Sequence, residues 1–247
     1  MAAFIGCQWN LKSTDRQEPS DTLKIERYDR IETLFLTTGD YGALKKMNTD
    51  FPAQTMTLVE TVLGLGAMDE PGINDCFYEF YQDSTLQKLL LDVSMEFDKM
   101  DDIDVELASA FDRLHQHFPH LQLPHVYTQV SALSQSIIVG NGLLAISLDK
   151  YMGENYPLYL RFGYTEQQRR MMTRQYIVPD CVGFFLLSAF PVNGDAGEHR
   201  ARLQWVVNAI VGRKVFDDEQ IAQVEHYMQQ HKDLSFEQLL TTPIHII

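Results

Sequence analysis

Apolar residues recur at three- and four-residue spacing along most of this chain, and take on strand character in one stretch only. Residues 25–35 fit a strand or a helix. Residues 41–48 and 54–65 read as helices, the second with Leu58, Val62 and Leu65 on one face and Pro52 dividing the pair. A loop at 66–72 leads to an aromatic segment, 74–81. Residues 84–100 carry Leu86, Leu89, Leu90, Val93 and Phe97 as an apolar stripe. A following helix places Val105, Leu107, Phe111, Leu114 and Phe118 at helical spacing up to Pro119.

After Pro124 the residues become β-formers. HVYTQVSAL reads as a strand, and IIVGNGLLAIS gives two apolar runs around Asn141 and Gly142, the strongest local hairpin signal because both turn positions require positive φ. Helices then resume. Thr165 with Gln168 and Ser235 with Gln238 form capping-box patterns, and Asp217 with Gln220 is set to cap a helix over DEQIAQVEHYMQQH. Pro179 suits the first position of a buried helix, DCVGFFLLSAF, and 203–215 reads as another helix. The expected fold class is α+β: a helix-rich single domain over 22–247 with a small central sheet that includes a hairpin near 136–148.

Length and composition fit that reading. The 247 residues suffice for a sizeable core, with 45% hydrophobic and 11% aromatic residues. No apolar run approaches the ~18 residues of a membrane span. A formal charge of −14 argues against nucleic acid as a partner, since phosphate binding calls for a basic face. The basic clusters Arg169, Arg170, Arg174 and Arg200, Arg202, Arg213, Lys214 read as solvated helix faces. Cys76 and Cys181 sit among apolar residues and read as small buried hydrophobes.

Cys7 differs. Phe4, Ile5, Gly6 and Cys7 are similar to the end of a bacterial lipoprotein signal, in which a small residue precedes the cysteine that takes the lipid, and the polar, Pro19-containing stretch after it suits a tether. Residues 1–21 are therefore expected to be a truncated lipoprotein signal and tether, with lipidation at Cys7. No basic segment precedes it, so this reading requires an upstream start; the alternative is a frayed terminus with a chance cysteine.

Catalytic patterns are missing from the sequence. None of the eight histidines begins an HExxH, and no GxSxG, Walker A or GxGxxG pattern occurs. His115, His117, His120 and His125 are dense, but Pro119 breaks their face, and contacts with helix-end carbonyls are the simpler reading. The acidic run DKMDDIDVE lacks the glycine and terminal glutamate of a calcium loop and reads as a solvated, helix-capping patch. Tyr78, Phe80, Tyr81, Tyr156, Tyr159 and Phe162 suit core packing or a ligand groove. No catalytic, cofactor-binding or metal residue is assigned. Asp149, in SLDKYMG, is expected to accept backbone donors at the following helix start, at a cost of about 1 kcal/mol if replaced by alanine.

Three passages carry a family resemblance: IERYDRIE; ELASAFDRLHQHFPHLQLPHVYTQVS; and, most specific, NGLLAISLDKYMGENYPLYLRF, a strand ending in Leu-Asp followed by Tyr-x-Gly and a tyrosine-rich segment. With VPDCVGFFLLSAF and the helix before Gly212, Arg213 and Lys214, they resemble the gliding-motility lipoprotein GldB family over roughly 25–216. The resemblance implies a lipoprotein of the cell envelope in a Bacteroidetes-type bacterium, membrane-anchored through Cys7 on the periplasmic or outer-membrane side. It further implies a non-enzymatic role, with envelope proteins of the gliding or secretion machinery as partners. It extends to zincin-like putative metalloproteases, whose helix corresponding to 179–190 would carry His-Glu-x-x-His, with a third ligand from the helix corresponding to 203–215. Here the first helix offers Phe, Leu, Ser and Ala, so the scaffold is expected to be a degenerate zincin without zinc. A divergent hydrolase and a small-ligand binding module stand as alternatives.

Overall fold

The computed structural model describes residues 24–242. Cys7, together with the signal and tether expected at 1–21, lies outside the described residues.

The chain enters along Ile25 and Glu26, where Glu26 pairs in parallel with Tyr127, and then turns into α1 (Tyr28–Thr38). The segment that fitted both strand and helix is thus a short extended entry followed by a helix. α2 (Tyr41–Thr49) starts at Asp40, whose side chain accepts from the Ala43 amide at 2.7 Å. Pro52 opens α3 (Pro52–Met56), where its missing N–H costs nothing. The helix expected at 54–65 widens at Thr57–Val62 into a π-helical turn that buries Leu58, Val59 and Val62.

The aromatic segment forms α4 (Ile73–Phe80). It buries Ile73 and Phe77, one turn apart, which leaves Cys76 off the buried face and exposed; only Cys181 is the buried thiol expected of both. α5 (Ser84–Glu96) is capped by Asp83 and ends four residues before the expected end at 100. α6 (Asp101–His117) buries Ile103, Leu107, Ala110, Phe111 and Leu114. Val105, expected in that stripe, is 68% exposed, because two residues at about 100° each carry it to the opposite face.

Three strands follow: β1 (His125–Gln129), β2 (Ile137–Gly140) and β3 (Leu143–Ser147). β3 is central, parallel to β1 with Val126 opposite Leu144, and antiparallel to β2 with Ile137 opposite Ile146. The hairpin turn has φ 52° at Asn141 and 75° at Gly142, as its sequence requires. β1 and β3 are buried almost throughout, β1 being covered by α1 on one side.

The second half is helical: α7 (Pro157–Arg161), α8 (Glu166–Met171), α9 (Ile177–Ala189), α10 (Ala196–Val211), α11 (Glu219–Gln230) and α12 (Phe236–Thr241). Both capping boxes form, at Thr165 and Ser235. The cap of α11 is Asp218, which accepts from the Ile221 amide, whereas Asp217 pairs with Lys214 at 2.8 Å. α9 begins two residues before Pro179, which therefore stands in the first turn, where amides lack helical acceptors in any case. α10 covers 196–211, earlier than the 203–215 expected, and stops at Gly212 with φ 81°. α9 packs on β2, β3, α6 and α10, and α10 also carries α11 and α12. The result is one helix-rich α+β domain around a small mixed sheet, with a single apolar core among the described residues.

Candidate functional site

Several surface charges of the described residues are paired. Arg174 meets Asp102 at 2.6 Å, Arg213 meets Glu106 at 3.1 Å, and Arg170 pairs with Glu166. Arg202 departs from its expected solvated face. It is buried against α12 and donates to the Leu239 and Thr242 carbonyls at 3.1 and 2.9 Å.

The histidine cluster is spread over the surface. His117 stacks on Phe236 at 4.1 Å, His120 lies 3.7 Å from Glu237, and His125 contacts Glu26 at 3.0 Å. Among the described residues, no group of three His, Cys, Asp or Glu side chains is arranged to hold a metal ion. The six aromatics do not share one groove. Tyr81 and Tyr159 are core residues, and Phe162 is 58% exposed.

Two features gather chemistry. The first is the loop 130–136 that links β1 to β2. Ala132 and Leu133 both take positive φ, 51° and 64°, which is costly for residues with a Cβ. Two buried carboxylates hold this loop by its amides. Glu32 of α1 accepts from Val130 at 2.9 Å; Asp149 accepts from Ser131 at 2.9 Å and from Leu133. Tyr81 donates to the Val130 carbonyl at 2.6 Å, and Lys150 Nζ donates to the Leu133 and Ser134 carbonyls at 3.2 and 3.3 Å. Asp149 thus takes backbone donors as expected, but from the loop before the hairpin rather than from a following helix. Burial pushes both carboxyls above the usual range, and the backbone donors only partly oppose it.

The second feature is a cavity of about 250 Å³ beside that loop. Ser136 leads into β2 on one wall. Lys150 and Tyr151 follow β3, Tyr164 precedes α8, Gln168, Met171 and Met172 come from α8 and its end, and Asp180 and Phe184 come from α9. The pairing of Met152 with Thr173 ties the β3 exit to the end of α8 and fixes two of these walls together. Asp180 and Phe184 stand one turn apart, so both face the cavity while Cys181, Val182, Phe185 and Leu186 enter the core.

Asp180 receives the Tyr151 hydroxyl at 2.7 Å and forms no ion pair among the described residues. Burial raises its carboxyl to about 7, and the tyrosine hydrogen bond opposes this only in part. Its position in the first turn of α9, where the helix end favours a negative charge, does not overcome the desolvation. Lys150 stands across the cavity with its Nζ 4.6 Å from the Tyr164 ring centre and 2.9 Å from that hydroxyl. A zincin's zinc does not fit this donor set, which offers one reluctant carboxylate, no imidazole and an ammonium.

A family model of the gliding motility protein GldB matches residues 10–201. The chain belongs to that family. The match runs from before the described residues through the sheet, the cavity and α9 into α10, and so covers both features. It starts earlier and stops earlier than the 25–216 of the sequence resemblance. GldB is a gliding-motility lipoprotein family, which makes this an envelope-associated lipoprotein by lineage. No curated protein and no solved structure gives a match. Among the described residues, no helix is long and apolar enough to cross a membrane.

The cavity was not foreseen from sequence. Its signal was a lone acid in an apolar helix, Asp180 in IVPDCVGFF.

Proposed function

We propose that this GldB-family domain works without catalysis, as a lipid-anchored element of the cell envelope in a Bacteroidetes-type bacterium. There it contributes to gliding motility or the associated secretion machinery through contacts with other envelope proteins. The observation that carries the reading is the family match over 10–201. The cavity chemistry supports the non-enzymatic part. In a hydrolase, the face that holds Asp180 and Phe184 would need a metal donor set or a nucleophile with its base, and Ser136, Tyr151 and Lys150 are bound into structural hydrogen bonds or lack a base partner. The anchor would be Cys7, carrying diacylglycerol.

The test is made in the native organism with the full gene product. Wild type is expected to take up labelled palmitate and fractionate with membranes. Cys7→Ser is expected to lose the label, leave the membrane fraction and impair colony spreading while the domain still folds. Equal labelling of both forms would overturn the anchor at Cys7. Unimpaired spreading after deletion of the gene would overturn the motility role.

A further inference from the structure

The cavity beside α9 holds a carboxyl that the fold has left without a counter-charge. Asp180 is half-buried, its one hydrogen-bond partner among the described residues is a neutral phenol, and it forms no ion pair there. Lys150, the one cation on the cavity wall, is committed elsewhere: two loop carbonyls and the Tyr164 hydroxyl take its three donors. An uncompensated carboxyl facing an open cavity is stabilised most by a cation that enters it. The remaining wall is apolar and soft. Met171 and Phe184 are 43% and 42% exposed at the rim, and Met172 lies deeper, buried. Thioether and aromatic surfaces suit an aliphatic or aromatic stem. At about 250 Å³ the space falls just below the ~300 Å³ at which drug-sized pockets begin, so the occupant is small.

We infer that this cavity is a binding site for a primary ammonium on a short apolar stem, the ammonium on Asp180 beside the Tyr151 hydroxyl and the stem between Met171, Met172 and Phe184. The inference is independent of the role in motility, and either can fail alone. The same chemistry is presented by a free small amine and by a lysine side chain.

The experiment titrates the folded domain with phenethylamine, followed by amide chemical shifts. The isosteric alcohol 2-phenylethanol, the anion phenylacetate and Nα-acetyl-lysinamide run in parallel. Saturable shifts at 136, 151, 164 and 180 are expected with phenethylamine, and binding at least about tenfold weaker with the alcohol. Asp180→Asn, which keeps the shape and removes the charge, is expected to lose a similar factor. Phe184→Ala is expected to weaken phenethylamine while leaving the preference for amine over alcohol. Tighter binding of acetyl-lysinamide would support the ammonium site and assign its source to a lysine side chain. The inference is overturned if amine and alcohol bind equally, if Asp180→Asn binds the amine as wild type does, if phenylacetate binds best, or if no ligand shifts these residues up to ~10 mM.

Discussion

Asp180→Asn should gain stability over wild type by an amount that grows as the pH rises from mild acid to mild alkali. The carboxyl titrates at an ordinary 3.8 in the unfolded chain and at about 7 in the folded one. Between those values the folded chain keeps a proton that the unfolded chain has lost. The stabilisation is therefore fully present below the lower value and is lost as pH rises through the upper one. Each pH unit is worth about 1.4 kcal/mol, so the full window is on the order of 4 kcal/mol, of which roughly two thirds falls between about pH 5 and about pH 8. Asparagine keeps the acceptor for the Tyr151 hydroxyl and cannot ionise. Glu32 and Asp149 are raised in the same direction and steepen the wild-type slope, but they are common to both proteins and cancel in the difference.

The assay is urea unfolding of both proteins at the two pH values, after checking that each unfolds in a single transition. The variant's stability relative to wild type should improve by about 2–3 kcal/mol from the lower pH to the higher. A relative stability unchanged with pH would refute the reasoning. It would mean that Asp180 is well solvated, or that a cation outside the described residues neutralises it.

Two further outcomes follow from other sites. Asp149→Ala should cost about 3 kcal/mol, well above the ~1 kcal/mol of a helix cap, because two buried amides in a strained loop lose their acceptor; chemical denaturation at neutral pH measures it, and a loss under about 1 kcal/mol would show the loop to be self-supporting. Gly212→Ala should cost about 1 kcal/mol, because φ 81° ends α10 while a new Cβ would rest an ordinary 3.6 Å from the Arg113 guanidinium, so backbone strain and not crowding sets the loss; thermal melting checks it.

What the sequence disclosed was local. The Asn141–Gly142 turn, the two capping boxes and the aliphatic stripe of α6 each rest on residues within four positions of one another, and each appears in the structure. Errors of phase were also local: Val105 and Cys76 are apolar residues on helices whose buried faces were set by stronger neighbours. Non-local pairings were out of reach. Nothing near β1 announces that it lies parallel to β3, and nothing near Asp149 announces that its amide partners stand 16 and 18 positions earlier. Asp180 was visible as a polar exception in an apolar helix, but only the cavity shows which way it faces.

The segment that carries the family resemblance most specifically, NGLLAISLDKYMGENYPLYLRF, now has a physical meaning. It supplies β3 at the centre of the sheet, Asp149 beneath the strained loop, and Lys150 and Tyr151 on the cavity wall, and its Tyr159 donates to the Asp149 carbonyl at 2.6 Å. Each of these side chains fixes a backbone or a neighbour, and Asp149 does so as a buried carboxyl, which is expensive unless fully satisfied. A chain that needed only a stable fold would gain more from apolar residues at these places. Spending buried carboxylates to hold Ala132 and Leu133 at positive φ beside a cavity is the pattern of a site kept in one shape. The motif is therefore the frame of the strained loop and of one cavity wall, across from which Asp180 of α9 has the Tyr151 hydroxyl, and no ion pair, as its partner among the described residues.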